Sequence, residues 1–471
     1  MSNKLFSRII LTAIFGTTAA YMYKSWKAND DKTEFNMNDI ELKQTELDIK
    51  EIKAKFKNSI WSVKSESGPI NFQIVFRNEG ERSFGDKPFI LDLLTSAMTE
   101  GAGSRDAFEL KKAFEDNSIG LTVVANGDDI VVTGSCLLRS FDLCIDLLCD
   151  VMTKSHFKEN TIDEKKQVLL VSLQQMLCSP RSLAKEKLNN LAMPKPYHYM
   201  LKQGLEDVKK YTSDDVKKVY KNIFDPRNAE ITIVSNIDEQ KIVDSFNKVY
   251  DALYGVKSNN FKPGQHRSYI DNAGKTVHIE IDNPQSTILF AMPGVELNSR
   301  DAFAIAAAND TFGSLPLVCR ISKVVRDKNG LVYGIRTSFM WGNGSGGDLQ
   351  SIITGSADTR PENVAKVIAL VKEEIKKLAD KGITQEELDR FKICKFAQTV
   401  FDTNGTTLAF VSSLRTVGIK SEGVNTYLRD SYQSLTLDEV NIAIKKVYDP
   451  DKILFVTCGK TINTEEKKDV K

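Results

Sequence analysis

The sequence predicts an α+β protein made of two homologous units of roughly 200 residues, each a mostly antiparallel or mixed β-sheet with helices packed on one face. Three observations predict it. The stretch TSDDVKKVYKNIFDPRNAEITIVSNI from Thr212 is echoed by TLDEVNIAIKKVYDPDKILFVTCGK from Thr436, with Asp225-Pro226 and Asp449-Pro450 in register. At almost the same offset, NTIDEKKQVLLVSLQQM from Asn160 is echoed by GITQEELDRFKICKFAQ from Gly382. Finally, GLTVVANGDDIVVTGSCLL from Gly120 alternates apolar and polar residues on both sides of a Gly-Asp-Asp turn, the pattern of a β-hairpin.

Each copy of the first echo reads as a helix capped by Thr with an acid in its first turn, a Pro-punctuated turn, and an apolar β-branched strand that closes the unit. The second echo has a helix start followed by apolar residues at helical spacing. A fainter third echo sets FRNEGERSFGDKPFILDLLTSAMTEG from Phe76 beside FAMPGVELNSRDAFAIAAANDTFG from Phe290, each a strand, a polar loop, a helix and a Gly stop. These assign 51–255 to the first unit and 270–471 to the second, with the polar linker 256–269 between them.

Ahead of the units lies a different kind of chain. Lys4 and Arg8 precede an uncharged run from Ile9 to Tyr23, and no acid occurs before Asp30, so 1–29 reads as an export segment. The run of about 15 residues is short against the roughly 20 that a membrane span needs. Tyr21, Tyr23 and Trp26 suit the interfacial end of an uncleaved anchor, whereas Thr18 and Ala20 suit a cleaved signal peptide. Both remain open, and a mitochondrial presequence ranks third because the stretch is apolar all round rather than Arg-rich. Residues 30–50 are polar and acidic and read as a tether.

With 471 residues, 41% of them apolar, the chain is long enough for more than one domain. Its 64 Lys plus Arg balance 63 Asp plus Glu, so no net field draws it to nucleic acid or to an anionic surface. The 7 cysteines follow no C-x-x-C spacing and read as free buried thiols.

A duplicated unit of this size and punctuation resembles the pitrilysin/insulinase metallopeptidases, whose relatives include the mitochondrial processing peptidase subunits and the core proteins of a respiratory complex. In that family the first helix of an active unit carries H-x-x-E-H followed by Gly, and a distal Glu completes the zinc site. Aligned on Gly101, the corresponding helix FILDLLTSAMTEGAG places Asp92, Thr95 and Ser96 at the three positions. They share one helical face, but one carboxylate and two hydroxyls are not a zinc donor set. The family's two distal Glu positions correspond to Glu164 and Val171, of which only the first keeps its carboxylate. The 4 histidines, His156, His198, His266 and His278, lie too far apart in sequence to share a helical turn, and each reads as a structural or surface residue. No metal is therefore expected in this chain.

The second unit retains the family's other motif within RISKVVRDKNGLVYGIRTSF: Arg326, then Gly330 and Leu331, then Tyr333. The resemblance implies that Arg326 and Tyr333 bind substrate, hydrogen-bonding its backbone and the tetrahedral oxyanion. An Arg fork and a neutral phenol are donors suited to that work. The bland alternative pairs Arg326 with Asp327 and makes Tyr333 an ordinary strand aromatic. The run WGNGSGGD from Trp341 has no Lys and reads as a hairpin tip rather than a phosphate cradle, while Pro196-Tyr197 with Gly204 reads as structural.

The resemblance implies a non-catalytic, substrate-binding subunit that pairs with a homologous zinc-bearing subunit, holds an extended peptide, and lends Arg326 and Tyr333 to the partner's zinc site. The expected location is exported, periplasmic or anchored to the membrane. A structural or assembly subunit without proteolysis is the alternative reading.

Overall fold

The structure, a computed structural model, describes residues 46–461 except 56–57, 67, 78–83, 85, 127–128, 193–200, 257–271, 298, 316–317, 341–349, 401–403, 417 and 426–431. The export segment, most of the tether, all of the linker but Val256, the Trp341 run and Pro196-Tyr197 lie outside the described residues. So do His198 and His266.

The first unit contains strands β1 (Ile49–Lys53), β2 (Ser59–Lys64), β3 (Ile70–Phe76), β4 (Gly120–Asn126), β5 (Asp129–Cys136) and β6 (Ala229–Ser235). Its helices are α1 (Ile90–Ala97), α2 (Ala107–Asp116), α3 (Phe141–Thr153), α4 (Glu159–Leu177), α5 (Pro180–Ala192), α6 (Leu201–Lys210), α7 (Ser213–Tyr220) and α8 (Glu239–Ala252). The second contains β7 (Thr276–Glu280), β8 (Ser286–Glu296), β9 (Val332–Met340), β10 (Gln350–Thr359) and β11 (Leu454–Gly459), with α9 (Arg300–Asn309), α10 (Val364–Lys381), α11 (Gln385–Val400), α12 (Asn404–Thr416) and α13 (Leu437–Val447).

The sheet orders are β1-β2-β6-β3-β5-β4 and β7-β11-β8-β10-β9. Among the described residues only β2 with β6 and β7 with β11 run parallel, so both sheets are mixed and one topology is used twice, with β1 added to the first. Strand β1 starts inside the stretch read as tether. Leu47, Ile49 and Ile52, set among acids and lysines, account for it, because Leu47 and Ile49 pack on the Trp61 cluster and Ile52 on the first core.

The closing helices carry the predicted caps. Thr212 accepts from the Asp215 N–H, Thr436 accepts from the Glu439 N–H, and each acid side chain reaches back to its cap. Glu439 also binds Arg300, joining α13 to α9. That hydrogen bond and those from Thr436 hold the Glu439 carboxyl down to about 2 from 4.5. A depressed carboxylate contributes stability above its unfolded value and loses it as pH falls through the folded one. The advantage of the parent over Glu439→Gln in thermal melts is expected to be small, about 1 kcal/mol or less at this exposed site, and to vanish near pH 2.

One core fills the helix side of each sheet. The opposite face of each sheet is covered by a helix of the other unit. From the first unit, Ala184, Leu188 and Ala192 of α5 pack on Leu289, Ala291, Ile352, Leu454 and Val456 of the second sheet. From the second unit, Leu408, Val411 and Leu414 of α12 pack on Trp61, Val63 and Val234 of the first sheet. Helices thus lie on both faces, because each unit covers the other's sheet.

Arg415, on α12, fastens one of these contacts. Its guanidinium donates to the carbonyls of Ile231 (2.7 Å) and Ser59 (2.8 Å) and lies 5.2 Å from the centre of the Trp61 ring. Glu230, which also pairs with Arg77, is 3.8 Å away.

All 7 cysteines are free, but Cys178 is exposed where α4 gives way to α5, and Cys149 and Cys394 are only half-buried. The expectation of burial holds for Cys136, Cys144, Cys319 and Cys458 only. Among the described residues, no helix is long and apolar enough to cross a membrane.

Candidate functional site

Helix α1 follows Phe89, whose backbone is left-handed at φ 64°. The Phe89 ring is held against Gly204, where a Cβ would lie 2.1 Å from a ring carbon, so only glycine fits there. Leu91, Leu93, Leu94 and Ala97 turn one face of α1 into the core. The other face carries the three positions singled out above. Ser96 Oγ donates back to the Leu93 carbonyl (3.0 Å) and Thr95 Oγ1 to that of Asp92 (3.4 Å). Asp92 Oδ2 is buried without a hydrogen-bond partner, and burial pushes this carboxyl above its usual range.

A zinc ion does not fit these groups. Two hydroxyls are spent on their own helix, and a carboxyl that resists ionisation is a poor cation ligand. α1 packs against α4 and β4. On α4, Glu164 points to solvent and Val171 occupies the distal position with an exposed isopropyl group. Among the described residues, no group of three or more His, Cys, Asp or Glu is placed to hold a metal. His156 shares its Nε2 with the Gly103 carbonyl at 2.9 Å, and His278 its Nδ1 with Thr457 at 2.8 Å.

In the second unit the chain between α9 and β9 has two π-helical segments, Asp310–Ser314 and Lys323–Lys328. Such wide turns cluster at functional sites. Arg326 sits in the second segment, half-buried, and its Nε binds Asp327 at 2.7 Å. Gly330, at φ 62°, turns the chain back, with its N–H on the Arg326 carbonyl (2.8 Å). Tyr333 follows on β9, an edge strand, and is 100% exposed. Among the described residues no hydrogen bond links Arg326 to Tyr333. They occupy successive elements on either side of the Gly330 turn.

The exposure of Tyr333 has a definite cause. Ile335 pairs with Ala357 and Val332 with Thr359, so three steps along β9 match two along β10. This is a β-bulge at Tyr333-Gly334. Val332 and Ile335 both enter the core, and the extra residue turns the phenol outward. In the first unit the equivalent pair, β4 with β5, runs in unbroken register.

Sequence reading did not single out what anchors this turn. Arg320 binds both carboxylate oxygens of Glu387, Nε to Oε1 at 2.8 Å, and donates to the Gly382 carbonyl at 3.0 Å. Glu387 also accepts from the Thr384 N–H, so the N-terminus of α11 and the π-helical turn share one carboxylate. The Thr-x-x-Glu spacing from Thr384 was the available signal.

The fold is a duplicated α+β unit, and the positions on α1 singled out for a metal hold no ligand set. Residues 92–202 match the model described as insulinase (peptidase family M16), and residues 210–393 match the model described as the peptidase M16 inactive domain. The chain belongs to the M16, or insulinase, family, as a member lacking the H-x-x-E-H motif.

Among its relatives is an uncharacterized zinc protease of Streptomyces coelicolor, 22% identical over 63% of this chain and 64% of its own length. The non-peptidase homolog YmxG of Helicobacter pylori is 24% identical over 85% of this chain and 90% of its own. Among solved structures, the peptidase M16 inactive domain from Pseudomonas fluorescens has a TM-score of 0.79 at 19% identity, covering 88% of this chain and 98% of that one. The periplasmic protease PqqL from Escherichia coli has a TM-score of 0.71 at 16% identity, covering 91% of this chain and 49% of PqqL.

Proposed function

We propose that this chain is the metal-free, peptide-holding subunit of a heteromeric zinc metallopeptidase. In this reading it pairs with a homologous subunit that bears the zinc motif, and Arg326 and Tyr333 reach the partner's site. The observation that carries the reading is the bulge at Tyr333-Gly334. It takes an aromatic residue out of a core strand and leaves its hydroxyl in the open, where packing gains nothing. A phenol held so is free to donate to charge developing on a peptide carbonyl. Arg326 would exchange Asp327 for the peptide backbone. The basic then apolar stretch Lys4–Tyr23 supports export, either as a cleaved signal or as an anchor.

Replacing Tyr333 by Phe or Arg326 by Ala is expected to lower turnover by the assembled complex roughly 100-fold to 1000-fold, the scale of losing one oxyanion donor. Zinc content, measured by atomic absorption, should stay at the parental level. Parental peptide hydrolysis by both variants would remove the role. A scaffold without proteolysis is the second reading, and the Arg326–Asp327 ion pair favours it by engaging the guanidinium already. Mass spectrometry of the co-purifying homologue separates the two, since only the first reading requires an intact H-x-x-E-H helix there.

A further inference from the structure

The second unit uses one capping device twice. Thr436 and Glu439 cap α13, and Glu439 takes Arg300 at 3.1 Å. At the start of α11 the Glu387 N–H donates to Thr384 Oγ1 (3.2 Å), the Thr384 N–H donates to Glu387 Oε2 (2.8 Å), and Glu387 takes Arg320. The two copies differ in what their arginine is joined to. Arg300 opens α9, a regular helix, whereas Arg320 opens the single turn Arg320–Ser322, which runs straight into the π-helical segment bearing Arg326. They differ in exposure too. The Arg300 and Glu439 side chains are each 40% exposed, those of Arg320 and Glu387 25% and 17%, so water competes less for the pair beside the π-helical segment. Burial alone would raise the Glu387 carboxyl, but Arg320 and the Thr384 N–H hold it below its usual range, so it stays charged.

A π-helical turn needs such an anchor. Its widened loop forgoes the regular i→i−4 ladder, so its aim is set by whatever holds its ends. At the exit, Thr359 Oγ1 on β10 donates to the Leu331 carbonyl (2.5 Å). In the middle, Asn329 Nδ2 donates to the Val324 carbonyl (2.9 Å). The entry is held by Arg320, fixed by both oxygens of Glu387 and by the Gly382 carbonyl beyond α10. Arg326 lies between these points, and Tyr333 two residues past the last of them.

We propose that Glu387 is a positioning residue for this turn: through Arg320 it fixes the turn's entry, and so where the Arg326 guanidinium and the Tyr333 hydroxyl point. The proposal rests on the reading of those two as substrate-binding groups and adds the carboxylate that aims them. Glu387 acts only through its arginine. A bidentate pair suits this task, because two parallel bonds fix an angle as well as a distance.

The test uses the full chain assembled with its co-purifying homologue and the initial rate of cleavage of dye-quenched casein at low concentration, which reports kcat/KM. Glu387→Gln keeps the shape but turns an amide toward the guanidinium, and should lower that rate about tenfold or more, the scale on which a misaimed group costs. Arg320→Lys keeps the charge and loses the fork, so it should lose less, and it is the second variant if Glu387→Gln does not fold. Glu439→Gln breaks the same device at α13 and should leave the rate within about twofold of the parent. In the Tyr333→Phe chain, Glu387→Gln should cost clearly less than in the parent, because one of the groups it aims is gone. A purely structural loss would multiply unchanged. Parental rates for Glu387→Gln and Arg320→Lys beside an impaired Tyr333→Phe overturn the positioning role and leave the peptide-holding reading standing. So does an equal fold-loss in the two backgrounds, or a comparable loss in Glu439→Gln. A parental rate for Tyr333→Phe, or no cleavage by the parental complex, overturns both.

Discussion

Arg415→Ala is expected to destabilise the chain by about 3–5 kcal/mol in equilibrium denaturation, a large loss for a single side chain at the rim of two units. The guanidinium lies over Trp61 with its fork on the carbonyls of Ser59 and Ile231, from adjacent strands β2 and β6. Removing it leaves two carbonyls without their donors and Glu230 with Arg77 as its remaining close cation. Lys at this position keeps the charge but not the planar fork, so Arg415→Lys should recover only part of the loss. A midpoint within 1 kcal/mol of the parent for Arg415→Ala would show that α12 is held by its apolar side chains alone.

The mirror contact gives the second large effect. Ala184 is fully buried between α5 and the second sheet, among Leu289, Ala291, Ile352 and Val456. Ala184→Glu forces a longer side chain and a carboxylate into that apolar layer, at an expected cost above about 4 kcal/mol. Ala184→Val, which only overpacks, should cost about 1–3 kcal/mol. Because each unit lends a helix to the other, both substitutions should lower one shared unfolding transition rather than split it in two. Two separated transitions in the Ala184→Val chain would contradict this coupling.

How much of this was legible in the sequence depended on the range of each signal. The caps at Thr212 and Thr436, the Asp-Pro turns and the β4–β5 hairpin are local, and they gave the duplicated architecture its register. The ligand loss on α1 was readable as well, since residue identity alone decides it. The exchange of α5 and α12 was not. Ala184, Leu188 and Ala192 form a helical stripe like any other, and nothing local says whose sheet it meets. The bulge at Tyr333 was equally hidden, because it exists only as a mismatch in residue count between β9 and β10. Strand β1 was missed for the opposite reason. Three apolar residues spaced among charges look like linker until Trp61, Val63 and the first core are there to receive them.

The crossing of α5 and α12 also bears on how the molecule would respond to a protease. A single cut of the backbone between Val256 and Asn272 would sever the covalent tie and leave the clasp untouched, so two fragments should travel together through gel filtration and part only in denaturant. For the same reason, neither half made by itself should stay soluble, since each would present to water the greasy sheet that its absent twin was built to shield.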